Sequence, residues 1–464
     1  MTAAAGPGAY GQNNRISLIQ VQYIFQEFGK QDQALATQPA DWLENPNQGP
    51  IEFIYQRDHV LTRPEDVPHI GRALEKLYEQ QPKQQIRVVG DPIPVAGLDL
   101  VLLKLTPVTD LPSTLESIEK LTDGQVEVSP NHLVSISPAT YCPATEPMVP
   151  DYPAQQPAVD PPPGFDGEGV KVAVVDTGFV ANAPSHSWMA GITGDAEPPE
   201  NGQFLGHYSA HGLFAASTIR AIAPKAYVHV WRVFANGGNT RFETDLVTEL
   251  RNRVLVEEPD IISLSAGTHT WKKRTSLAFK TFLEQVMLPH YPRTILVAAA
   301  GNDGVDWDFA PADLAVPHPD RVVSVGALSA DSKRVATFSD RGTWVSVYAR
   351  GRDLVQAYAA GTYHYREAQN RPDAHFHGMA RWSGTSFSTP LVSGLIAARM
   401  SGRNISALAA WNELQRIAQA DPVFTKDAGG NPIPAPRLRP NDADAPVPPP
   451  PPPAPPAPPP APGN

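Results

Sequence analysis

The sequence predicts an α/β architecture: a three-layer domain around a mainly parallel sheet, preceded by a small α+β domain. Three observations carry this. From Val170 to about Ala420, short apolar runs alternate with helical segments, the pattern of strands and crossover helices that close a parallel sheet. Residues 51–140 follow a different order, reading strand, helix, two strands, helix, strand. Between them lies a proline-dense stretch containing Asp160-Pro161-Pro162-Pro163, too rich in proline for a packed element.

Composition narrows the function. The chain has 464 residues, 41% hydrophobic and 18% charged, enough for more than one cored domain. A net charge of -11 argues against nucleic acid as a partner. Cys142 stands alone, which excludes an internal disulfide framework. Met1 to Asn14 lacks a basic segment followed by an apolar one, and no run reaches transmembrane length. The expectation is a soluble, cytoplasmic protein with no membrane segment, unless an unconventional export route operates.

Taken in order, residues 1–50 read as an N-terminal extension, with one apolar segment from Ile16 to Phe25 and then a polar loop. Ile51–Tyr55 and His59–Thr62 read as strands. Val67, Ile70, Leu74 and Leu77 then fall at helical spacing after Pro64 and two acidic residues. Strands follow at Ile86–Val89 and Leu98–Leu105, a second helix at Leu111–Leu121, and a strand-rich stretch from Gln125 to Ile136. This βαββαβ order suits a small ferredoxin-like fold for residues 51–140. Residues 141–168 form the expected linker, exposed and protease-accessible. The domain from 169 to 426 has strands at Val170–Val175, Tyr227–Val233, Ile261–Ser265, Thr294–Ala299 and Val322–Val325. Arg352 to Trp382 reads as irregular and contains His364, His375 and His377. Residues 427–464, nearly all Pro and Ala toward the end, read as an extended, disordered tail able to offer a polyproline ligand to a partner.

The chemistry starts at Trp382-Ser383-Gly384-Thr385-Ser386, a polar turn that runs into a helix of small and apolar residues, with Pro390 in the early turns. A serine at such a helix start sits among unpaired N–H groups at the positive dipole end, where an oxyanion gains stability. Val172-Ala173-Val174-Val175-Asp176 is a buried strand ending in an acid, and functional groups in open α/β sheets gather at that end. Ser209-Ala210-His211-Gly212 opens a helix and supplies a base. Ala299-Ala300-Gly301-Asn302 carries a strand into a turn, placing an amide donor. Taken singly, a cap, a turn acid, a structural histidine and an Asn turn explain each piece equally well.

In this order, and with Gly384-Thr385-Ser386 followed by Pro390, Val392 and Gly394, residues 169–420 resemble the subtilisin-like serine proteases. The resemblance implies a subtilisin-like fold and a serine endopeptidase that hydrolyses extended peptides through an acyl-enzyme. Asp176 would orient His211, His211 would act as general base and then acid, and Ser386 would be the nucleophile. Asn302 and the Ser386 N–H would form the oxyanion hole. It further implies that Ser265, Ala266 and Gly267 pair with an extended peptide, that Ala299, Ala300 and Gly301 line the primary pocket, and that Gly238 flanks the peptide's other edge. The small N-terminal domain sits where the family carries a prodomain, an intramolecular inhibitor and folding aid whose C-terminal end would lie product-like along Ser265–Gly267. No cofactor is required; calcium enters by analogy alone, with no acidic loop to identify a site. The three histidines before Ser383 lack the spacing of a metal set. Two departures stand out. Leu213 replaces the usual threonine after His211-Gly212, and Tyr348-Ala349-Arg350-Gly351 replaces the usual Ala-Pro-Gly, read as a change in a surface turn.

Two other readings remain in play. One is a catalytically silent peptide-binding scaffold; the other is an acid-acting sedolisin-type peptidase, which shares Ser-Gly-Thr-Ser but uses a Glu/Asp pair. His211 and Asn302 favour the subtilisin arrangement. A neutral-to-alkaline optimum in a pH–rate profile is therefore expected, and activity confined to acid would overturn that arrangement.

Overall fold

The computed structural model describes residues 21–22, 24–26, 35–38, 51–83, 85–136, 146–151, 157, 160–180, 186–198, 204–234, 239–366, 371–427 and 429–449. Cys142 and Gly238 lie outside these residues.

The N-terminal unit is a sheet with two helices packed on it. Its elements are β1 (Leu35–Gln38), β2 (Phe53–Thr62), α1 (Val67–Gln80), β3 (Arg87–Val88), β4 (Ile93–Pro94), β5 (Val101–Thr106), α2 (Leu111–Leu121) and β6 (Val128–Ser135). The strands are antiparallel in the order β6-β2-β5-β3, with β1 on β2 and β4 on β5. Ile70, Leu74 and Leu77 of α1 and Leu111, Leu115 and Ile118 of α2 pack on Val60, Leu103 and Leu105. Spacing of three and four puts these helix residues on one face. The N-cap of α2 is Asp110, whose carboxylate accepts the Ser113 N–H at 3.1 Å.

Two expectations need correcting here. Ile51–Tyr55 and His59–Thr62 are not separate strands. They belong to one strand, β2, whose pairing with β6 shifts register between Tyr55 and Val60. Such a bulge leaves a polar run, Gln56 to Asp58, inside a continuous strand, and so mimics a turn. The 1–50 extension is not outside the fold either, because β1 extends this sheet.

The second unit is built on eight parallel strands in the order β20-β15-β14-β13-β12-β7-β10-β8. The central ones are β7 (Lys171–Asp176), β10 (Tyr227–Arg232), β12 (Ile261–Leu264), β13 (Ile295–Ala299) and β14 (Val322–Leu328), and β8 (Thr193–Gly194) forms one edge. Side chains alternate between its faces. Val172 and Val174 meet Ile219, Leu395 and Ile396 on one side, while Ala173 and Val175 meet Phe214, Leu246 and Leu250 on the other. The covering helices are α3 (His211–Ile222), α4 (Glu243–Glu257), α5 (Leu277–Phe282), α6 (Thr385–Arg403) and α7 (Ala407–Ala420). Among the described residues, no helix is long and apolar enough to cross a membrane.

The stretch 352–382 is not irregular. It forms a long antiparallel hairpin, β16 (Leu354–Tyr363) with β17 (Ala374–Trp382), carrying β9 (Phe204–Leu205) on its far edge. Burial alternates along Ala374–Phe376–Gly378 with His375 and His377 pointing outward. His375 bonds Thr362 at 3.0 Å and His364 bonds Asp373, so these histidines are dispersed. The linker 141–168 is docked where it is described. Met148 and Arg381 exchange both backbone bonds at 2.9 and 2.8 Å, and Ser401 Oγ donates to the Gly164 carbonyl and accepts the Gly167 N–H.

The expected tail at 427–464 begins inside folded chain. β18 (Val423–Lys426) pairs with β19 (Pro432–Ala435), and β20 (Arg437–Leu438) adds to the large sheet beside β15 (Val347–Arg350). The Tyr348–Arg350 departure is therefore no surface turn: β15 is an interior strand, and Tyr348 is buried. The fully buried Arg399 bonds Glu413 at 2.7 Å and donates to the carbonyls of Ala443 and Ala445 at 2.9 and 3.1 Å.

Ending the chain after Asp427 removes β20 and both carbonyl partners of Arg399. Bonds to a charged group contribute about 1.5–3 kcal/mol each, so denaturant unfolding should show at least that loss. An unchanged midpoint would contradict the structural role of this segment.

Candidate active site

Asp176 is the last residue of β7, and His211 the first of α3. Both Asp176 oxygens lie 2.8 Å from His211 Nδ1, and the Thr177 N–H donates to Oδ1 at 2.7 Å. A carboxylate only accepts, so the imidazole proton belongs on Nδ1 and Nε2 is left free to act. The pair is walled by aromatic rings. Trp382 meets the His211 ring edge-on at 5.2 Å and Phe387 lies at 5.0 Å.

Ser386 stands in the first turn of α6, after Gly384. The Gly384 N–H donates to the Gly351 carbonyl at 2.7 Å, and a Cβ on Gly351 would lie 2.8 Å from the Gly384 carbonyl oxygen. The end of β15 thus sets the height of the serine turn. The Ser265 hydroxyl donates to the Ser386 carbonyl at 2.8 Å. The Ser386 hydroxyl faces the Ser265 carbonyl oxygen at 3.5 Å and makes no hydrogen bond to His211.

Asn302 is oriented by the serine turn. Its Oδ1 accepts the Thr385 N–H at 2.8 Å and the Thr385 hydroxyl at 3.0 Å. With the oxygen so engaged, the amide NH2 is turned away from Thr385. Asp176, His211, Asn302 and Ser386 thus come from four separated segments.

The residues expected to form the peptide edge pair with the chain itself. Gly267 and Ser135 exchange backbone bonds at 3.0 and 3.1 Å, and the Ile136 N–H donates to the Asn239 carbonyl at 3.3 Å. β6 also pairs antiparallel with β11 (Thr240–Phe242). The end of β6 therefore lies between the 265–267 segment and the 239–242 segment. Gly267 cannot carry a side chain, since a Cβ would fall 2.1 Å from the Phe309 ring. Ala299 and Ala300 are buried at the end of β13, and Gly301, at φ +104, leaves room for the Asp340 carboxylate. Gly238 lies outside the described residues, next to Asn239.

Side chains lock the two units together. Glu243 Oε1 accepts the His132 N–H at 2.9 Å and its Nδ1–H at 2.8 Å, while Ser276 donates to Oε2. His132 Nε2 in turn accepts the Trp271 N–H at 3.0 Å. On the rim, Lys280 meets Glu127 at 2.9 Å, and Lys272 and Arg274 both meet Glu119. Burial works against ionisation of Glu119, but the bonds from Arg274 and Lys272 hold it below the usual carboxylate range.

The motifs pointed to neither of two groups beside the site. Glu197, far from any motif, sits between the Asp176 and His211 turns. The second group is His269, Asp303 and Asp340, which offer three atoms within 4.8 Å of one another. His269 is paired on both ring nitrogens: Nε2 bonds Asp303 at 2.8 Å and Nδ1 faces the Asp308 carbonyl at 3.1 Å. Asp340 Oδ1 accepts the N–H groups of Asp303 and Val305, while Asp303 Oδ1 and Asp340 Oδ2 are buried with no protein partner. Burial alone would lower the pKa of His269; the bond and charge of Asp303 overcome this and lift it to about 9. Calcium takes about six to eight oxygen ligands. A set whose third member is an imidazolium does not fit it.

The comparisons with known proteins agree with this geometry. Residues 167–420, more than half of the chain, match the family model Peptidase_S8, described as the subtilase family. The chain belongs to the subtilase family. It is similar to subtilisin E of Bacillus subtilis (strain 168), 26% identical over 250 residues that cover 51% of this chain and 57% of that protein. An intracellular serine protease of Paenibacillus polymyxa is 29% identical over 248 residues, 50% of this chain and 66% of that one. The chain thus spans a little over half the length of the first of these relatives. Among solved structures, fervidolysin from Fervidobacterium pennivorans superposes with a TM-score of 0.51 at 19% identity, covering 85% of this chain and 62% of that chain. That likeness bears on the fold alone.

The His269–Asp303 pair gives a pH signature. A histidine raised from 6.5 to about 9 by folding adds stability that is complete below pH 6.5 and is lost as pH rises through 9. The amount is on the order of 3 kcal/mol. Urea midpoints of the wild type measured across this window should fall relative to those of D303N. Parallel curves would show that the pair does not carry this charge.

Proposed function

We propose that this subtilase is a serine endopeptidase held in check by its own N-terminal domain. The observation that carries the reading is the Asp176–His211 bond placed beside a helix-start serine, with the Asn302 amide fixed by Thr385. In this reading, Ser386 Oγ attacks the scissile carbonyl and its proton passes to His211 Nε2. The carboxylate of Asp176 keeps the ring in the required tautomer and stabilises the imidazolium. Negative charge forms on the carbonyl oxygen, where the Asn302 NH2 and the Ser386 N–H are the donors. His211 then protonates the leaving amine, and water repeats the sequence to release the acyl group. Extended protein or peptide chains are the substrates, and Ser265, Ala266 and Gly267 bind them by β-strand addition, through backbone bonds that tolerate many side chains.

The regulatory half of the proposal rests on Ser135 and Ile136. They take up the backbone bonds of Gly267 and Asn239 that an extended substrate needs. While they do so, a substrate is excluded by competition, at an effective concentration that no dilute peptide matches. Ala299, Ala300 and Gly301 as pocket lining, and Gly238 as the opposite rim, remain part of this proposal.

One observation favours the silent-scaffold reading: the Ser386 hydroxyl faces the Ser265 carbonyl and not His211. Catalytic bonds are often long or unmade before substrate binds, so the leading reading accommodates this. A fluorophosphonate probe separates the two. It should label the wild-type chain once the N-terminal domain is displaced and leave S386A unlabelled, while an unreactive wild type with a free peptide edge would favour the scaffold. N302A should keep its KM and lose kcat by roughly 10²–10³, the size expected for one oxyanion donor.

A further inference from the structure

Glu197 follows the edge strand β8, outside every sequence motif, and is half-buried, with its carboxyl group turned in beside the residues that flank Asp176 and His211. Three donors converge on it. The Ser209 hydroxyl donates to Oε1 at 2.8 Å; the Thr177 hydroxyl and the Ala210 N–H each donate to Oε2 at 3.0 Å. Thr177 directly follows Asp176, and Ser209 and Ala210 directly precede His211. Thr177 Oγ1 also accepts the Gly212 N–H at 3.3 Å. One carboxyl group and one hydroxyl therefore grip the residues on both sides of His211 and tie them to the residue after Asp176.

The His211 turn needs such a grip. Ala210 opens α3 at φ 62 and ψ 16, Tyr208 has φ 56, and no side chain caps the helix. Left-handed backbone at residues with a side chain costs about 1–3 kcal/mol each and persists only where the surroundings enforce it. Leu213, where the family usually has threonine, is buried in the apolar core and has no hydroxyl to contribute here.

We infer that Glu197 is a positioning residue, holding the Asp176 and His211 turns in one register so that the imidazole is presented toward Ser386. The inference rests on the proposed proteolytic reading of that site. The groups facing Glu197 are Asp176, which carries His211, and Tyr358 on β16. Burial lifts the carboxyl to about 8 against the pull of its three donors, with the Asp176 charge adding to the rise. Its ionisation above that value places a second negative charge behind the imidazole, and this favours the imidazolium.

The test compares the activated full chain as wild type, E197A and E197Q. Alanine removes the grip. Glutamine restores it without a charge, since its oxygen can take the Ala210 and Thr177 donors while its NH2 donates to the Ser209 oxygen. E197A should lose kcat on the order of a hundred-fold, as for a displaced catalytic group, with KM little changed. Its downfield imidazole proton resonance, which reports the Asp176–His211 bond, should broaden or move. E197Q should recover most of the rate and the resonance, and should lack the change in rate near pH 8 that ionisation of Glu197 would give the wild type. Wild-type kcat and an unmoved resonance in E197A would overturn the inference. If E197A does not fold, a step near pH 8 persisting in E197Q overturns it. The resonance needs no turnover, so an inactive wild type would refute the proteolytic reading while Glu197 is still judged on its own.

Discussion

The site depends on β7 ending where α3 begins. A parallel strand delivers Asp176 at its carboxyl end, and the neighbouring helix starts with His211, so the two side chains meet at 2.8 Å. Nothing in either side chain enforces this. It follows from the pairing of β7 with β10 and β12, which fixes the strand, and from the Gly212 contact, which fixes the helix. A Cβ on Gly212 would lie 2.7 Å from the Gly178 carbonyl oxygen and 3.0 Å from the Asp176 Cβ. The serine turn is set the same way, by backbone against backbone, Gly384 on Gly351. Small residues at these contacts are what allow four distant segments to converge.

The same logic governs how the two units meet. The contact is mainly main chain: β6 is inserted between β11 and Gly267, and its sequence is weakly constrained by those bonds. Direction and register come from the side chains around it. The buried His132–Glu243 pair, with Trp271 and Ser276 completing its bonds, admits one alignment. The outer Lys and Glu pairs are exposed enough to be screened by salt and add little individually. Backbone pairing thus supplies strength at this contact, and the buried polar node supplies alignment.

Much of this was legible in the sequence, and the limits have physical causes. β7, which ends at Asp176, and β13, which leads into the Asn302 turn, are buried on both faces, so they read as unbroken apolar runs. The helix after Ser386 announces itself by small residues and Pro390, and α2 runs over Leu111–Leu121 as its periodicity predicts. The glycines, alanines and outward histidines of the β16–β17 hairpin carry weak strand signal; its stability comes from cross-strand pairing and from Trp382 and Tyr358 packing together. β20 carries no periodicity, being two residues beside prolines, and only its pairing with β15 makes it a strand. Glu197 left no trace in any motif. Its role arises from three donors that only the fold brings together.

If Ser386 is the nucleophile proposed above, it should also cut the linker at 141–168 that tethers its own N-terminal domain. Mapping chain termini by mass spectrometry after incubating the purified wild type and S386A tests this most directly. A new terminus within residues 141–168 is expected in the wild type, and an intact chain in S386A. Identical processing of both, or a fully active wild type that keeps its N-terminal domain attached, would contradict it.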